Sequence, residues 1–93
     1  MSEYIDIQHE TTDDPAVMLL RTNLNLTPEG GPEIYPDRDS GEEGSPLAQA
    51  LFYIPGLAAL TMDDAELLVA RGPDVEWHDL IEDVTDALRD FFL

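Results

Sequence analysis

The 93-residue sequence predicts a two-layer α+β domain, in which two helices cover one face of a mainly antiparallel sheet of about four strands. Three observations indicate this class. Strand patterns come in consecutive pairs, a helix pattern follows each pair, and each helix has one apolar face. The expected order of elements is therefore ββαββα, within a single domain spanning residues 1–93.

A first helix is predicted to begin at Ser45 and Pro46. A Ser hydroxyl accepts a hydrogen bond from an unpaired backbone N–H at a helix start, and Pro at the first helical position gives up a donor that has no partner there. The apolar residues that follow recur at helical spacing, namely Leu47, Ala48, Leu51, Phe52 and Ile54. Pro55 and Gly56 then end the helix, because the residue before a Pro avoids helical angles and Gly tolerates unusual ones.

Two strands, at 57–62 and 66–71, are predicted around a short polar turn at 63–65. The second strand contains three consecutive apolar residues, Leu67, Leu68 and Val69. Such a run is typical of a central strand that is covered on one face and partly shielded on the other.

The last helix is predicted from a continuous apolar face with polar residues opposite. Its members are Trp77, Leu80, Ile81, Val84, Leu88, Phe91 and Phe92. Aromatic residues at this spacing usually pack inward, so Trp77 is expected in the core. The C-terminal Phe91, Phe92 and Leu93 have two interpretations, core or docking patch, and the continuous helical face favours core.

The first half predicts a hairpin of strands at 4–8 and 17–26, with a polar turn between them. In the second strand, Leu20, Leu24 and Leu26 share one parity and are expected to face the core. Residues 27–44 are rich in Gly and Pro and predict a flexible loop. Within it, Glu33–Tyr35 is the one place where a brief edge strand is expected.

The charge balance is strongly acidic, with 4 Lys+Arg against 21 Asp+Glu and a formal net charge of −17. Such a surface repels nucleic-acid phosphates and anionic lipids, so neither nucleic acid nor membrane is expected as a partner. A basic protein surface would be attracted. The alternative is that the acidity serves solubility in a salty cytoplasm. With no apolar signal segment at the N-terminus, a cytoplasmic location is expected.

The sequence predicts no catalytic, cofactor-binding or metal-binding residue, and hence no enzyme. His9 and His78 lack the further ligands that a metal site needs at a recognisable spacing. The acidic clusters do not match a calcium loop, and Ser45 is explained as a helix cap. The chain has no Cys. Weak iron binding by carboxylates and a His remains an open alternative.

Residues 45–93 resemble the N-terminal domain of Nfu/NifU iron–sulfur scaffold proteins. The resemblance extends over the matching residues Ser45, Pro46, Leu47, Ala48, Leu51, Phe52, Ile54, Gly56, Leu57, Leu60, Val69, Trp77, Leu80, Phe91 and Phe92. It implies a non-catalytic module that acts in iron–sulfur protein maturation by docking with a protein partner.

In that family the domain usually precedes a second module whose C-x-x-C pair holds an iron–sulfur cluster. This chain has no Cys, so cluster ligation cannot be assigned to any of its residues. The resemblance then implies that iron or a cluster is met through a partner, which would be a cysteine-bearing iron–sulfur scaffold or client. The alternative is an acidic protein-binding module unrelated to iron–sulfur assembly.

The resemblance also supplies candidate interface residues. These are the motif positions Ser45, Pro46, Leu47, Phe52, Gly56, Trp77, Phe91 and Phe92.

Overall fold

The computed structural model describes residues 5–93. Its elements, in chain order, are β1 (Ile7–Thr11), β2 (Val17–Thr22), β3 (Glu33–Tyr35), α1 (Arg38–Glu42), α2 (Pro46–Phe52), β4 (Leu57–Asp63), β5 (Glu66–Arg71) and α3 (Trp77–Phe92). The predicted first strand included Tyr4, which lies outside the described residues.

The strands form one antiparallel sheet in the order β1-β2-β5-β4-β3. The predicted α+β class and the order ββαββα are confirmed, and β5 is the central strand, as its apolar run indicated. The described part of the chain has five strands and three helices, one of each more than expected. The additions are β3, foreseen as a brief edge pairing, and α1, which was not foreseen.

The strand register places large apolar side chains on one face of the sheet. One row across β2, β5 and β4 consists of Met18, Val69 and Leu60. The next row on the same face consists of Leu20, Leu67 and Met62. The helices cover this face with the buried residues Leu47, Ala48, Leu51, Phe52, Leu80, Val84 and Leu88. The core therefore lies between the sheet and one layer of helices, and among residues 5–93 no helix lies on the other sheet face.

Irregularities at two strand ends decide which leucines reach the core. A register shift between Leu57 and Ala59 brings Leu57 opposite Arg71, and Leu57 is buried while the intervening Ala58 is exposed. The second strand ends at Thr22 rather than at Leu26, yet Leu26 is still buried. Its backbone N–H donates to the carbonyl of Asp64, so the chain wraps around the β4–β5 turn instead of extending the sheet.

The predicted 27–44 loop contains both additional elements. Asp37 caps α1, because its carboxylate accepts from the backbone N–H of Ser40 at 2.9 Å while the Ser40 hydroxyl accepts from the backbone N–H of Asp37. Arg38, the first residue of α1, then donates to the carbonyls of Phe52, Ile54 and Leu57. These contacts attach the segment to the end of α2. Its flexibility stays a prediction.

Two further boundaries differ from the predicted ones. β1 continues to Thr11, because the turn that follows is held by Asp14, whose carboxylate accepts from the backbone N–H of Ala16 at 2.9 Å. α2 ends at Phe52 rather than at Ile54, with Tyr53 as its last cap residue.

Candidate functional site

The start of α2 and the end of α3 lie beside the segment 25–33 and form a groove of about 270 Å³. We call it the helix-end groove. Five of the eight predicted interface residues line it: Ser45, Pro46, Leu47, Phe91 and Phe92. The opposite wall includes Leu26, Pro28 and the carboxylate-bearing Glu29 and Glu33. The structure thus brings residues 45–47 and 91–92 together. In the sequence they are separated by the rest of α2, the β4–β5 hairpin and most of α3.

The wall formed by α2 is rigidly positioned. The Ser45 hydroxyl accepts from the backbone N–H of Ala48 at 3.3 Å, which is the predicted helix cap. The backbone N–H of Ser45 donates to the Tyr35 hydroxyl at 3.2 Å, and that hydroxyl in turn donates a hydrogen bond to the Glu33 carboxylate. Leu47 is buried and belongs to the core. The helix start is therefore fixed both to β3 and to the core.

The other wall is the last turn of α3. Phe92 is half-buried and packs against the core, whereas Phe91 is 45% exposed, and Leu93 is also exposed. The two rings meet edge to face, with centroids 5.2 Å apart. The prediction that all three residues are core is wrong for Phe91 and Leu93. Their helical face is correct, but the last turn of α3 reaches a point where the described part of the chain leaves Phe91 and Leu93 uncovered.

The other three predicted residues lie away from the groove and serve the packing. Phe52 is buried, with its ring edge to face against Tyr35 at 6.3 Å. Gly56 has a φ of +93° and packs against Val75, and its carbonyl accepts from the backbone N–H of Gly72 at 2.8 Å. A side chain at Gly56 would collide with Val75 and strain the backbone.

Trp77 is half-buried and joins α3 to the first hairpin. Its indole N–H donates to the carbonyl of Pro15 at 2.9 Å, across 62 positions of sequence. The guanidinium of Arg71 lies 5.7 Å from the centre of the ring and donates to the carbonyl of Val75 at 2.7 Å. The expected inward packing of Trp77 is met in part, and its role is to hold the helix on the sheet.

Tyr53 is an exposed aromatic residue that the sequence interpretation missed. It is 87% exposed at the end of α2 and borders a second depression of about 330 Å³ between α2 and α3. Phe91 lines both this depression and the helix-end groove, so it stands where the two meet. Its exposure could have been predicted from the sequence, because Tyr53 falls outside the apolar stripe of its helix.

The two histidines are exposed and lie apart. His9 is on the edge strand β1, and His78 is on the polar side of α3, with its Nδ1 3.5 Å from an Oδ1 of Asp79. Among residues 5–93, no three His, Asp or Glu side chains are grouped so that they could hold a metal ion. In the same part of the chain, no helix has the length and apolar character needed to cross a membrane.

The fold and the groove define a small α+β module that presents an apolar surface at the ends of its helices. The chain belongs to the Nfu/NifU N-terminal scaffold protein family, because the family model described as "Scaffold protein Nfu/NifU N terminal" matches residues 7–93. This confirms the resemblance read from the motif residues. A search of curated proteins found no match.

Solved structures share the fold. A NifU-like protein from Saccharomyces cerevisiae, solved by NMR in solution, is similar with a TM-score of 0.77 and 22% identity, over 97% of this chain and 82% of that one. Protein SAV1430 from Staphylococcus aureus, solved by X-ray crystallography, has a TM-score of 0.69 and 15% identity, over 88% of this chain and 96% of that one. At these identities the likeness concerns the fold.

Proposed function

We propose that this chain is a non-catalytic docking module in iron–sulfur protein maturation, and that its helix-end groove binds a cysteine-bearing iron–sulfur scaffold or client protein. Membership of the scaffold family supports the pathway. The chain has no Cys, so in this proposal the partner supplies the thiolates that hold the cluster. The partner therefore brings the iron chemistry, and this chain contributes recognition.

The observation that carries the proposal is the convergence of five motif residues on one groove. Ser45, Pro46 and Leu47 form one side, and Phe91 and Phe92 form the other. Phe91 leaves nearly half of its side chain in water, although burying apolar surface stabilises by about 25 cal/mol per Å². Aromatic residues, Phe among them, are enriched at protein interfaces relative to the rest of the surface.

The test begins with recovery of partners by the tagged full chain, followed by calorimetric titration with a recovered iron–sulfur scaffold or client in purified form. Phe91→Ser is expected to weaken the affinity by about tenfold or more, because it removes the aromatic side chain from the groove. His78→Ser is the matched control, since His78 is also an exposed ring-bearing residue of α3 but lies in its first turn, at the other end of the helix from the groove.

Two results would count against the proposal. One is the failure to recover any iron–sulfur assembly or client protein above the background of an untagged chain. The other is an unchanged affinity of the Phe91→Ser variant for the purified partner. The melting temperature of each variant is measured in parallel, so that a loss of binding is not confused with a loss of folding.

A further inference from the structure

The sheet face opposite the helices carries an apolar row in cross-strand register. Ile34 of β3 lies opposite Thr61 of β4, Thr61 opposite Leu68 of β5, and Leu68 opposite Leu19 of β2. Direct cross-strand partners share a face. In β2, β4 and β5, the neighbours of these residues along the strand are buried in the core. Ile34 is 66% exposed and Leu68 is 39% exposed. The row therefore crosses four of the five described strands, and none of the described helices covers it.

A depression of about 220 Å³ lies on this row. Leu19, Thr61 and Leu68 line it together with Pro32, and Asp63 and Glu66 line the same depression. The open face thus combines an apolar floor with carboxylates at one side. Long basic side chains have the complementary form, because an aliphatic stem covers apolar surface while the charged end reaches a carboxylate.

Negatively charged side chains outnumber positively charged ones beside the row. Asp63 and Glu66 are direct cross-strand partners, an arrangement that is unfavourable for like charges. Arg21 lies 3.1 Å from Glu66 and 3.4 Å from Glu10, which is itself opposite Leu19. One guanidinium is therefore shared by two carboxylates, and Asp63 adds a third negative charge on this face. The excess negative charge agrees in sign with the −17 of the whole chain.

We infer that this open sheet face is a second docking surface, for a protein whose contact region presents apolar side chains flanked by Lys or Arg. The apolar row supplies the buried area, and Asp63 and Glu66 select the basic flank. A second copy of this chain fits poorly, since a two-fold pairing of this face would bring together two surfaces with the same excess of negative charge. The surface lies on the other side of the sheet from the helix-end groove, so the inference goes beyond the proposed function.

The probe is a short synthetic peptide of alternating Lys and Leu, titrated into the ¹⁵N-labelled full chain and followed by NMR. The amide signals of Leu19, Ile34 and Leu68 are expected to move most. A peptide with Ser in place of Leu tests charge alone, and a peptide with Glu in place of Lys tests apolar contact alone. Both are expected to bind at least tenfold more weakly, because the surface uses the two features together.

Two variants locate the binding. Leu68→Thr removes apolar area while keeping a residue that strands favour, and Glu66→Gln removes one charge with little change of shape. Each is expected to raise the dissociation constant about fivefold or more, and the effect of Glu66→Gln should shrink as NaCl rises from about 50 to 500 mM. Phe91→Ser, which tests the helix-end groove, is expected to leave the peptide affinity unchanged.

The inference is overturned if the signal changes spread over the acidic surface of α3, or if neither Leu68→Thr nor Glu66→Gln weakens binding. It is also overturned if the chain alone forms a dimer that Leu68→Thr dissociates, since the face would then belong to a second copy. None of these outcomes bears on the partner of the helix-end groove, which Phe91→Ser tests separately.

Discussion

At the scale of single residues, Arg38 joins the segment before α2 to the far end of that helix. Its guanidinium donates to the carbonyls of Phe52, Ile54 and Leu57, where α2 ends and β4 begins, and it lies 5.9 Å from the centre of the Phe52 ring. The last carbonyls of a helix have no partner within the helix, so a cation placed there satisfies them and interacts favourably with the helix dipole.

Arg38→Met is expected to lower the free energy of unfolding by about 1–2 kcal/mol, because the carbonyls lose a charged donor while helix propensity and chain length are kept. Chemical denaturation measures this change. The matched control is Arg89→Met, which removes the same charge from an exposed position in the last turn of α3 and should cost less than about 0.5 kcal/mol. Equal losses in the two variants would show that charge, and not the three hydrogen bonds, is responsible.

At the scale of elements, the end of α3 divides its two aromatic residues between the core and the surface. Phe92 is half-buried and packs on the core cluster, while its neighbour Phe91 is largely exposed at the border of two depressions. The helix therefore contributes to stability through one side of its last turn and presents the other side to solvent. We therefore expect that the groove can be changed at Phe91 without unfolding the chain.

Truncation of the two residues should separate these roles. Phe92→Ala is expected to lower the free energy of unfolding by about 2–3 kcal/mol, since it removes packed apolar volume, and Phe91→Ala by less than about 1 kcal/mol. Denaturant titration of both variants compares the free energies directly. A larger loss of unfolding free energy for Phe91→Ala than for Phe92→Ala would contradict this assignment, because it would mean that Phe91 is the residue packed on the core.

The elements that the sequence predicted well are those with their own local signals. The start of α2 has a Ser–Pro cap, and α3 has a long apolar face. Both elements could therefore be predicted without knowledge of tertiary contacts. α1 was missed because its Gly41 is a poor helix former and its core contact, the Phe52 ring, is distant in sequence. The capping pair of Asp37 and Ser40 was the local signal that could have indicated it.

Five of the residues that line the helix-end groove were named from the sequence, but their arrangement was not predicted. The motif named Ser45, Pro46, Leu47, Phe91 and Phe92 together with Phe52, Gly56 and Trp77. Periodicity shows which side of a helix faces inward, but not where a helix extends beyond the layer it covers. That is why the exposure of Phe91 required the three-dimensional fold.

At the scale of the whole molecule, negative charge greatly exceeds positive charge, with a formal net charge of −17. The Arg side chains do not offset it as a surface network, because Arg38 and Arg71 bind backbone carbonyls and Arg21 is shared by two carboxylates. A compact state with this excess repels itself at low ionic strength. The unfolded chain is more expanded, so screening favours the folded state more strongly than the unfolded one.

Added salt is therefore expected to stabilise the protein. Raising NaCl from about 20 to 500 mM is expected to lower the repulsion free energy of the folded state by about 1 kcal/mol, which would raise the melting temperature by about 4–8 °C. Thermal unfolding followed by circular dichroism measures this rise. The combined variant Glu82→Gln and Asp86→Asn, both on the exposed side of α3, should show a smaller rise. A melting temperature that stays constant or falls as salt is added would contradict this explanation.

The placement of the basic residues has a consequence for proteolysis. The chain has four Lys+Arg, and these are Arg21 in β2, Arg38 at the start of α1, Arg71 at the end of β5 and Arg89 in α3. The backbone around the bond after Arg71 is itself held, since the N–H groups of Arg71 and Gly72 donate to the carbonyls of Ala16 and Gly56. Trypsin cuts after such residues and needs an extended, accessible backbone, which connecting segments usually provide. Digestion of the native chain must then wait for local or global opening, so the rate of tryptic cleavage reports how often these elements open.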